Sequence, residues 1–134
     1  MKIKYNFGLL KNLTVGFVNE ESGKGYHGVL QDVRRKGTNY QFQYEDCYIE
    51  ISENQLLRGR FKMINDIYYF IPESGNIISG LLVYTMYDTF GFPMEITEEI
   101  LGEQGFSIDK EGFLLIKEIQ KQKNKGTFKN KNAF

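Results

Sequence analysis

The residue types that perform acid–base, nucleophilic and metal chemistry are scarce in this sequence of 134 residues, which has one histidine, His27, and one cysteine, Cys47. A zinc site takes three or four ligands drawn from His, Cys and carboxylates, so no His/Cys zinc cluster is expected. His27 and Cys47 could form a nucleophile pair, with Glu45 or Asp46 orienting the imidazole. A lone cysteine on an aromatic strand is more commonly a small apolar residue. We therefore predict no catalytic residue, no metal and no cofactor.

Basic residues form three groups that could contact phosphates. Seventeen basic and seventeen acidic residues give a net charge of zero, which excludes a globally basic nucleic-acid binder. Arg58, Arg60 and Lys62 alternate along a predicted strand and so share one face. They predict a basic patch, or alternatively an ordinary solvated sheet face paired with Glu50 and Glu53. The candidate RNA-binding residues of the three groups are Arg34, Arg35, Lys36, Arg58, Arg60, Lys62, Lys121, Lys123 and Lys125.

The neutral total hides an uneven distribution of charge along the chain. From Glu73 to Ile116 there are eight acidic residues and one basic residue, Lys110, whereas six lysines and one glutamate follow from Lys117 onward. The basic end indicates either a solvated helix end that frays into disorder or an arm that contacts phosphates. We expect a flexible basic tail over residues 124–134.

The first part of the chain, residues 1–79, has the pattern of short strands joined by tight turns. Aromatic and polar residues alternate strictly from Tyr40 to Tyr44, which predicts a half-buried strand. Two further strands, from Leu57 to Ile64 and from Ile67 to Ile71, flank the dipeptide Asn65-Asp66, which predicts a two-residue hairpin turn. The pattern favours an antiparallel meander or small barrel.

Residues 80–123 have helical rather than strand patterning, and they predict three short helices. The first is expected to end near Gly91. Thr97 is predicted to cap the second helix, which Gly105 ends, and Asp109 is predicted to cap the third. The whole chain is therefore assigned to the α+β class, with an antiparallel, barrel-like N-terminal part followed by three short helices and the basic tail.

One string in the helical part is specific enough to indicate a family. Tyr87-Asp88-Thr89-Phe90-Gly91-Phe92-Pro93, followed by Thr97-Glu98-Glu99 and then by Asp109, Gly112 and Phe113, resembles a segment of alanyl-tRNA synthetases. That segment lies between the tRNA-recognition region and the editing domain of the family. The resemblance covers about Val83 to Lys123, whereas residues 1–80 are not recognised. The family motif residues are Tyr87, Asp88, Thr89, Gly91, Phe92 and Pro93; Phe90 departs from the tyrosine that the family usually has.

The resemblance implies the scaffold of the family and an RNA partner. The arginine-bearing ATP motif of class II synthetases is not found in residues 1–80, and the editing domain's zinc motifs need more histidines than His27 alone. We therefore predict that the protein is not an enzyme but a non-catalytic accessory module that contacts tRNA or other RNA. The alternative is a β-barrel that binds a protein or a small ligand and whose helical corner is purely structural.

The sequence shows neither a targeting signal nor an apolar run long enough to span a membrane. Charges interrupt the apolar stretch at the N-terminus, which argues against a targeting signal, and the apolar runs are far shorter than the roughly 20 residues that span a bilayer. We therefore expect a cytoplasmic protein with no membrane partner.

Overall fold

The computed structural model describes residues 4–19, 22–72 and 75–124, in which most strands precede most helices. The strands are β1 (Thr14–Val18), β2 (Gly25–Val29), β3 (Asp32–Lys36), β4 (Asn39–Gln43), β5 (Tyr48–Ser52), β6 (Gly59–Ile64), β7 (Ile67–Pro72), β8 (Ile77–Ile78) and β9 (Ser107–Ile108). The helices are α1 (Glu53–Leu57), α2 (Gly80–Phe90), α3 (Met94–Glu103) and α4 (Lys110–Asn124), preceded by a 3₁₀ turn over Phe7–Leu10. The α+β class is confirmed.

The strands form three sheets. The largest has the order β2-β1-β7-β6, the second has the order β3-β4-β5, and β8 pairs with β9. Hairpin neighbours are antiparallel as expected, but β1 pairs in parallel with β7 and β8 pairs in parallel with β9. Over the described residues the sheets stay separate and do not close, so the barrel-like description holds only loosely.

Aromatic side chains from the two larger sheets make the centre of the core. The ring of Phe42 on β4 lies 4.9 Å from that of Phe17 on β1 and 5.7 Å from that of Phe70 on β7, measured between centroids. The predicted alternation is confirmed because Tyr40, Phe42 and Tyr44 are all buried. Tyr44 also donates a hydrogen bond from its hydroxyl to the carbonyl oxygen of Val15 at 2.8 Å. The two sheets are therefore joined by packing and by a buried hydrogen bond.

Local signals fix the turns and the start of one helix. Asn65 and Asp66 have φ angles of 51° and 66°, so the predicted two-residue hairpin turn between β6 and β7 is confirmed. Leu57, which the sequence assigned to a strand, belongs instead to α1. This helix begins with a capping box in which Ser52 and Gln55 satisfy each other's backbone N–H groups.

The three predicted helices are present, with one correction at a cap. Gly91 ends α2 in the left-handed conformation, with φ 73°, and Gly105 follows α3 with φ 85°. Thr97 does not cap α3 as predicted: the helix begins at Met94, directly after Pro93, and Thr97 is buried inside it. Proline fits this position because its fixed φ and missing N–H suit a helix start.

The helical part packs on the strands through one continuous core. Phe113 and Ile116 of α4 belong to the same buried cluster as Phe61 of β6 and Val83 of α2. Within the described residues, no helix combines the length and apolar character needed to cross a membrane. The predicted tail over 124–134 lies outside the described residues, apart from Asn124.

Candidate nucleic-acid interface

One face of the four-stranded sheet points away from the aromatic core and carries the basic residues of β6. Phe61 is fully buried on the core side. Because side chains alternate along a strand, Arg60 and Lys62 lie on the opposite side. We call this side the outer face; its residues are Gly25, His27 and Val29 of β2, Thr14, Gly16 and Val18 of β1, Ile67, Tyr69 and Ile71 of β7, and Arg60, Lys62 and Ile64 of β6.

The strand register aligns three polar side chains across the outer face. Lys62 of β6 is opposite Tyr69 of β7, Tyr69 is opposite Gly16 of β1, and Gly16 is opposite His27 of β2. Directly opposite residues on neighbouring strands have their Cβ atoms about 5 Å apart. An ammonium, a phenol and an imidazole therefore follow one another across the sheet, with a gap at the glycine.

Gly16 makes the close approach of the two rings possible. A Cβ atom at this position would lie 2.8 Å from the Tyr69 ring and 2.8 Å from the Cβ of His27, and it would also collide with the carbonyl oxygen of Tyr26. With only hydrogen there, the Tyr69 hydroxyl comes within 3.4 Å of His27 Nδ1, and the ring centroids are 6.2 Å apart in an edge-to-face arrangement.

The outer face is open at one end and covered at the other. Ile71 is buried although it faces away from the main core and does not belong to the main core cluster. Val29 and Ile64 at the opposite end are exposed. The row from Lys62 to His27 lies between the two ends. His27 is exposed, whereas Lys62 and Tyr69 are half-buried. Aromatic rings on a sheet surface can stack on unpaired bases and an adjacent ammonium can contact a phosphate, so this arrangement is suited to a nucleic acid.

Arg58 does not join the row, although it has the same alternation as Arg60 and Lys62. Its guanidinium carbon lies 5.2 Å from the ring centroid of Phe106, and its backbone makes an isolated bridge to Ile78. The structure thus places Arg58 against β8 and the segment before β9. Arg60 and Lys62 stay together on the outer face.

The group Arg34, Arg35 and Lys36 lies on β3, in the other large sheet. Arg34 is 3.7 Å from the carboxylate of Asp32, and Arg35 is 3.4 Å from that of Glu53. Arg35 also lies over the ring of Tyr40, 5.6 Å from its centroid. Two of the three cations are therefore already beside carboxylates.

The glutamates that the sequence offered as partners of the strand patch have other partners. Glu53 pairs with Arg35. Glu50 accepts hydrogen bonds from the side-chain amides of Gln41 and Asn39, which lower the pKa of its carboxyl group. Neither carboxylate neutralises the outer face.

The lysines near the C-terminus differ in their environment. Lys123 donates hydrogen bonds from Nζ to the carbonyl oxygens of Gly8 and Lys11, at 3.2 and 3.0 Å. Burial, with the nearby charge of Lys11, lowers its pKa. Lys121 is exposed on the same helix, and Lys125 lies outside the described residues. The predicted candidates among the described residues are thus distributed over β3, the end of α1, β6 and α4.

The residues of the family motif form the corner between α2 and α3. The ring of Tyr87 packs edge-to-face on Phe113, and the Lys117 ammonium lies 5.1 Å from the Tyr87 ring centroid. Burial raises the pKa of the nearby Tyr84 hydroxyl to about 12, and the charge of Asp88 contributes. The motif residues Tyr87, Asp88, Thr89, Gly91, Phe92 and Pro93 are all exposed.

Two members of the row, Tyr69 and His27, were not among the predicted RNA-binding residues. The Tyr69 position follows from the two-residue turn at Asn65-Asp66, which places Lys62 opposite Tyr69 by counting outward. His27 could not be found in this way, because its place in the row depends on the parallel pairing of β1 with β7. No group of three or more His, Cys, Asp and Glu in the described part of the chain is placed to hold a metal ion.

The comparisons with known proteins point to one family. A family model described as tRNA synthetases class II (A) matches residues 53–134. The chain is 30% identical over 127 residues, or 93% of its length, to the alanine–tRNA ligase of Nitratidesulfovibrio vulgaris, and 41% identical over 81 residues, or 58% of its length, to that of Prochlorococcus marinus. These alignments cover 14% and 9% of the two relatives. No solved structure matches the chain.

These matches confirm the resemblance and extend it toward the N-terminus, since the family model begins at residue 53. They contradict the prediction that the protein is not an enzyme, because the relatives are named as ligases and the family model is one of synthetases. That prediction depended on catalytic motifs that the sequence lacks. The chain spans only about a seventh or less of the length of the relatives, so missing motifs do not place it outside an enzyme family.

Proposed function

Because this chain belongs to the class II (A) tRNA synthetases, with alanine–tRNA ligases as its relatives, we propose that it contacts tRNA through the outer face of its four-stranded sheet. The proposal assigns the contact to Lys62, Tyr69 and His27. The family relation makes tRNA a plausible partner, and the proposal names the surface of the chain that contacts it.

The single observation that carries the proposal is the row in which Lys62, Tyr69 and His27 follow one another in register. An ammonium supplies a phosphate contact, which strengthens binding by releasing condensed counterions. Base stacking on an aromatic ring is sequence-tolerant and contributes about 1–3 kcal/mol per base. One short row therefore offers both kinds of contact that single-stranded or looped RNA uses.

The local charge supports the same conclusion although the net charge is zero. The outer face contains Arg60 and Lys62 and, among its twelve positions, no aspartate or glutamate. An anion approaching this face meets the ammonium of Lys62, and none of the twelve positions holds a carboxylate. The steering of ligands depends on such local fields rather than on the total charge.

The alternative of a ligand-binding barrel has less support. The sheets remain separate over the described residues, and the space between them is filled by Phe17, Phe42 and Phe70. The exposed aromatic residues at the corner of α2 and α3 also differ from what a purely structural corner would show.

The proposal is tested by fluorescence anisotropy with a labelled alanine tRNA transcript over a series of salt concentrations. The variant Lys62→Glu is expected to weaken binding roughly tenfold and to reduce the salt slope by about one. The variant Tyr69→Leu, which keeps an apolar side chain but removes the ring, is expected to weaken binding by roughly fivefold to 100-fold with an unchanged salt slope.

Lys4→Glu is the matched control, because it makes the same charge change at an exposed position that belongs neither to the outer face nor to the candidate RNA-binding residues. It should leave the affinity within about twofold of the unsubstituted chain, since long-range screening is strong at physiological salt. Equal losses in Lys62→Glu and Lys4→Glu would show that binding follows general charge and not the outer face. Undetectable binding at low salt would remove the proposed function altogether.

A further inference from the structure

The corner between α2 and α3 exposes a group of large apolar side chains. Phe90, Phe92, Ile96 and Ile100, here called the corner surface, have between 37% and 50% of their surface exposed. The rings of Phe90 and Phe92 stack on each other with their centroids 6.3 Å apart. Ile96 and Ile100 lie four residues apart on α3 and therefore on the same side of that helix.

The corner surface is not needed to attach α3 to the rest of the fold. Thr97 is buried, and Leu101 packs against the core cluster. Each is one residue beyond Ile96 or Ile100, which corresponds to a rotation of about 100° around the helix. Helix α3 thus has one apolar side toward the core and a second that is exposed. Large apolar side chains left exposed together at one corner of a fold are typical of interaction sites.

Carboxylates line the exposed side of α3. Glu95, Glu99 and Glu103 are spaced four residues apart, and α3 contains no lysine or arginine. Of the four glutamates of the helix, Glu98 pairs with Lys110 at 2.9 Å. None of the other three has an ion pair with a described residue. Like charges four residues apart destabilise a helix, so cations placed between these glutamates would remove a local repulsion.

We propose that the corner surface docks a basic protein segment whose aliphatic or aromatic side chains cover Phe90, Phe92, Ile96 and Ile100 while its lysines or arginines pair with Glu95, Glu99 and Glu103. The charge complementarity selects this partner. A nucleic acid is disfavoured at the corner because its phosphates would meet the glutamates at close range. The corner surface and the outer face therefore take partners of opposite charge.

The anchor spacing suggests how such a segment binds. Apolar side chains at i and i+4 on α3, next to two stacked rings, form a surface onto which a partner helix can place anchors at similar spacing. The apolar contacts then supply most of the affinity, whereas the charge pairs at the edge set orientation and rate of association. Removing the apolar and the charged components should therefore have different effects on binding.

The test uses the full chain and a fluorescein-labelled helical peptide with leucines at i, i+3, i+4 and i+7 and lysines elsewhere. Two matched peptides, one with serine in place of leucine and one with glutamate in place of lysine, separate the two components. Binding is expected for the leucine-lysine peptide, with an affinity at least tenfold lower for either matched peptide.

Variants of the chain identify the surface. The double substitution Ile96→Ser with Ile100→Ser is expected to weaken binding at least tenfold, and Glu95→Lys with Glu99→Lys at least fivefold. Leu114→Ser is the apolar control, because Leu114 is 58% exposed on α4, and Glu45→Lys is the charge control in an exposed turn. A circular-dichroism melt of each variant checks that the fold is kept.

Three results would overturn the proposal. One is equal binding of the peptide to the corner variants and to the two controls. Another is binding of the glutamate-substituted peptide, or of the tRNA transcript, at the corner surface that is tighter than that of the leucine-lysine peptide. The third is self-association in analytical ultracentrifugation that Ile96→Ser with Ile100→Ser abolishes, because the occupant is then a second copy of the chain. Since neither the probe nor the variants involve Lys62 or Tyr69, this test can fail while the tRNA proposal stands.

Discussion

The side-chain oxygen Oδ2 of Asp109 accepts a hydrogen bond from the backbone N–H of Phe61 at 2.8 Å, although the two residues are 48 positions apart. The same oxygen lies 3.3 Å from the backbone nitrogen of Gly80, and Oδ1 accepts from the N–H of Gly112 at 3.0 Å. One buried carboxylate therefore joins β6, the first turn of α2 and the first turn of α4. It holds the recognised helical part against the edge strand that carries Lys62.

Replacing Asp109 tests this connection. Asp109→Ala leaves three buried N–H groups without their acceptor, and we expect a loss of about 3 kcal/mol or more in the free energy of unfolding. Asp109→Asn keeps one acceptor oxygen but presents an amino group to donors at the other, so a loss of about 1–2 kcal/mol is expected. Urea unfolding followed by circular dichroism measures both. If Asp109→Ala is no less stable than Asp109→Asn, the carboxylate does not have this role.

The ionisation of Asp109 should make stability depend on pH in a defined direction. Burial raises the pKa of its carboxyl group above the ordinary value of 3.8, against three backbone hydrogen bonds that lower it. The folded state then holds the proton more tightly than the unfolded state. The resulting stabilisation is complete below pH 3.8 and is lost as the pH rises through the folded-state pKa.

The measurement is the unfolding free energy of the unsubstituted chain and of Asp109→Asn, from about pH 3 to about pH 7. The difference between the two should shrink as the pH rises, since the asparagine does not titrate. A difference that grows with rising pH would mean that the hydrogen bonds outweigh burial and that the pKa is lowered. Chemical-shift titration of the Asp109 carboxyl carbon gives the same sign independently.

Local chemistry in the sequence predicted one of the interactions of Asp109 and not the others. An aspartate three residues before a glycine N–H is a helix cap, and such a cap is encoded within one turn. The contacts with Phe61 and Gly80 depend on how α4 packs against β6 and α2, for which adjacent residues give no signal. The cap at Thr97 was wrong for a related reason: Pro93 starts α3 one turn earlier, and Thr97 is buried by packing.

In the candidate site too, the features set by neighbouring residues were predictable and those set by distant strands were not. Alternation along β6 placed Arg60 and Lys62 on one face, and the turn at Asn65-Asp66 sets the register with β7. The position of His27 in the row could be predicted only by knowing that β1 pairs in parallel with β7. These two strands are about 50 residues apart, in a chain whose other large-sheet pairings are hairpins. Sequence patterns report the period of a strand, but they do not report which distant strand lies beside it.

A glycine that ends a helix, Gly91, and a glycine inside a helix, Gly102, should respond oppositely to the same substitution. Gly91 has φ 73°, so Gly91→Ala places a Cβ in the left-handed region and is expected to lower stability by about 1 kcal/mol. Gly102 lies within α3, and Gly102→Ala is expected to raise stability by up to about 1 kcal/mol. A Cβ at either position meets nothing within 4 Å, so sterics do not interfere. Thermal melts measure both; a loss in each variant would show that backbone conformation does not govern the effect.

Substitutions at two lysines near the end of α4 should have different effects on stability, because Lys123 makes a structural contact whereas Lys121 is solvated. Lys123 holds the carbonyl oxygens of Gly8 and Lys11, and its loss leaves the end of the 3₁₀ turn without these donors. Lys123→Ala should therefore lower the free energy of unfolding by about 1 kcal/mol, and Lys123→Met, which keeps an apolar stem of similar length, by somewhat less. Lys121→Ala, on the exposed side of the same helix, should change it by less than about 0.5 kcal/mol.

Urea unfolding of the three variants provides the comparison, and helix propensity is matched because two of them exchange lysine for alanine in the same helix. The effect at Lys123 should persist at high salt, since a hydrogen bond between a half-buried ammonium and carbonyl oxygens is screened much less than a contact between exposed charges. If Lys121→Ala and Lys123→Ala are equally stable, the ammonium of Lys123 contributes nothing to holding α4 against the 3₁₀ turn. It would then be available to phosphates in the way that the sequence first indicated.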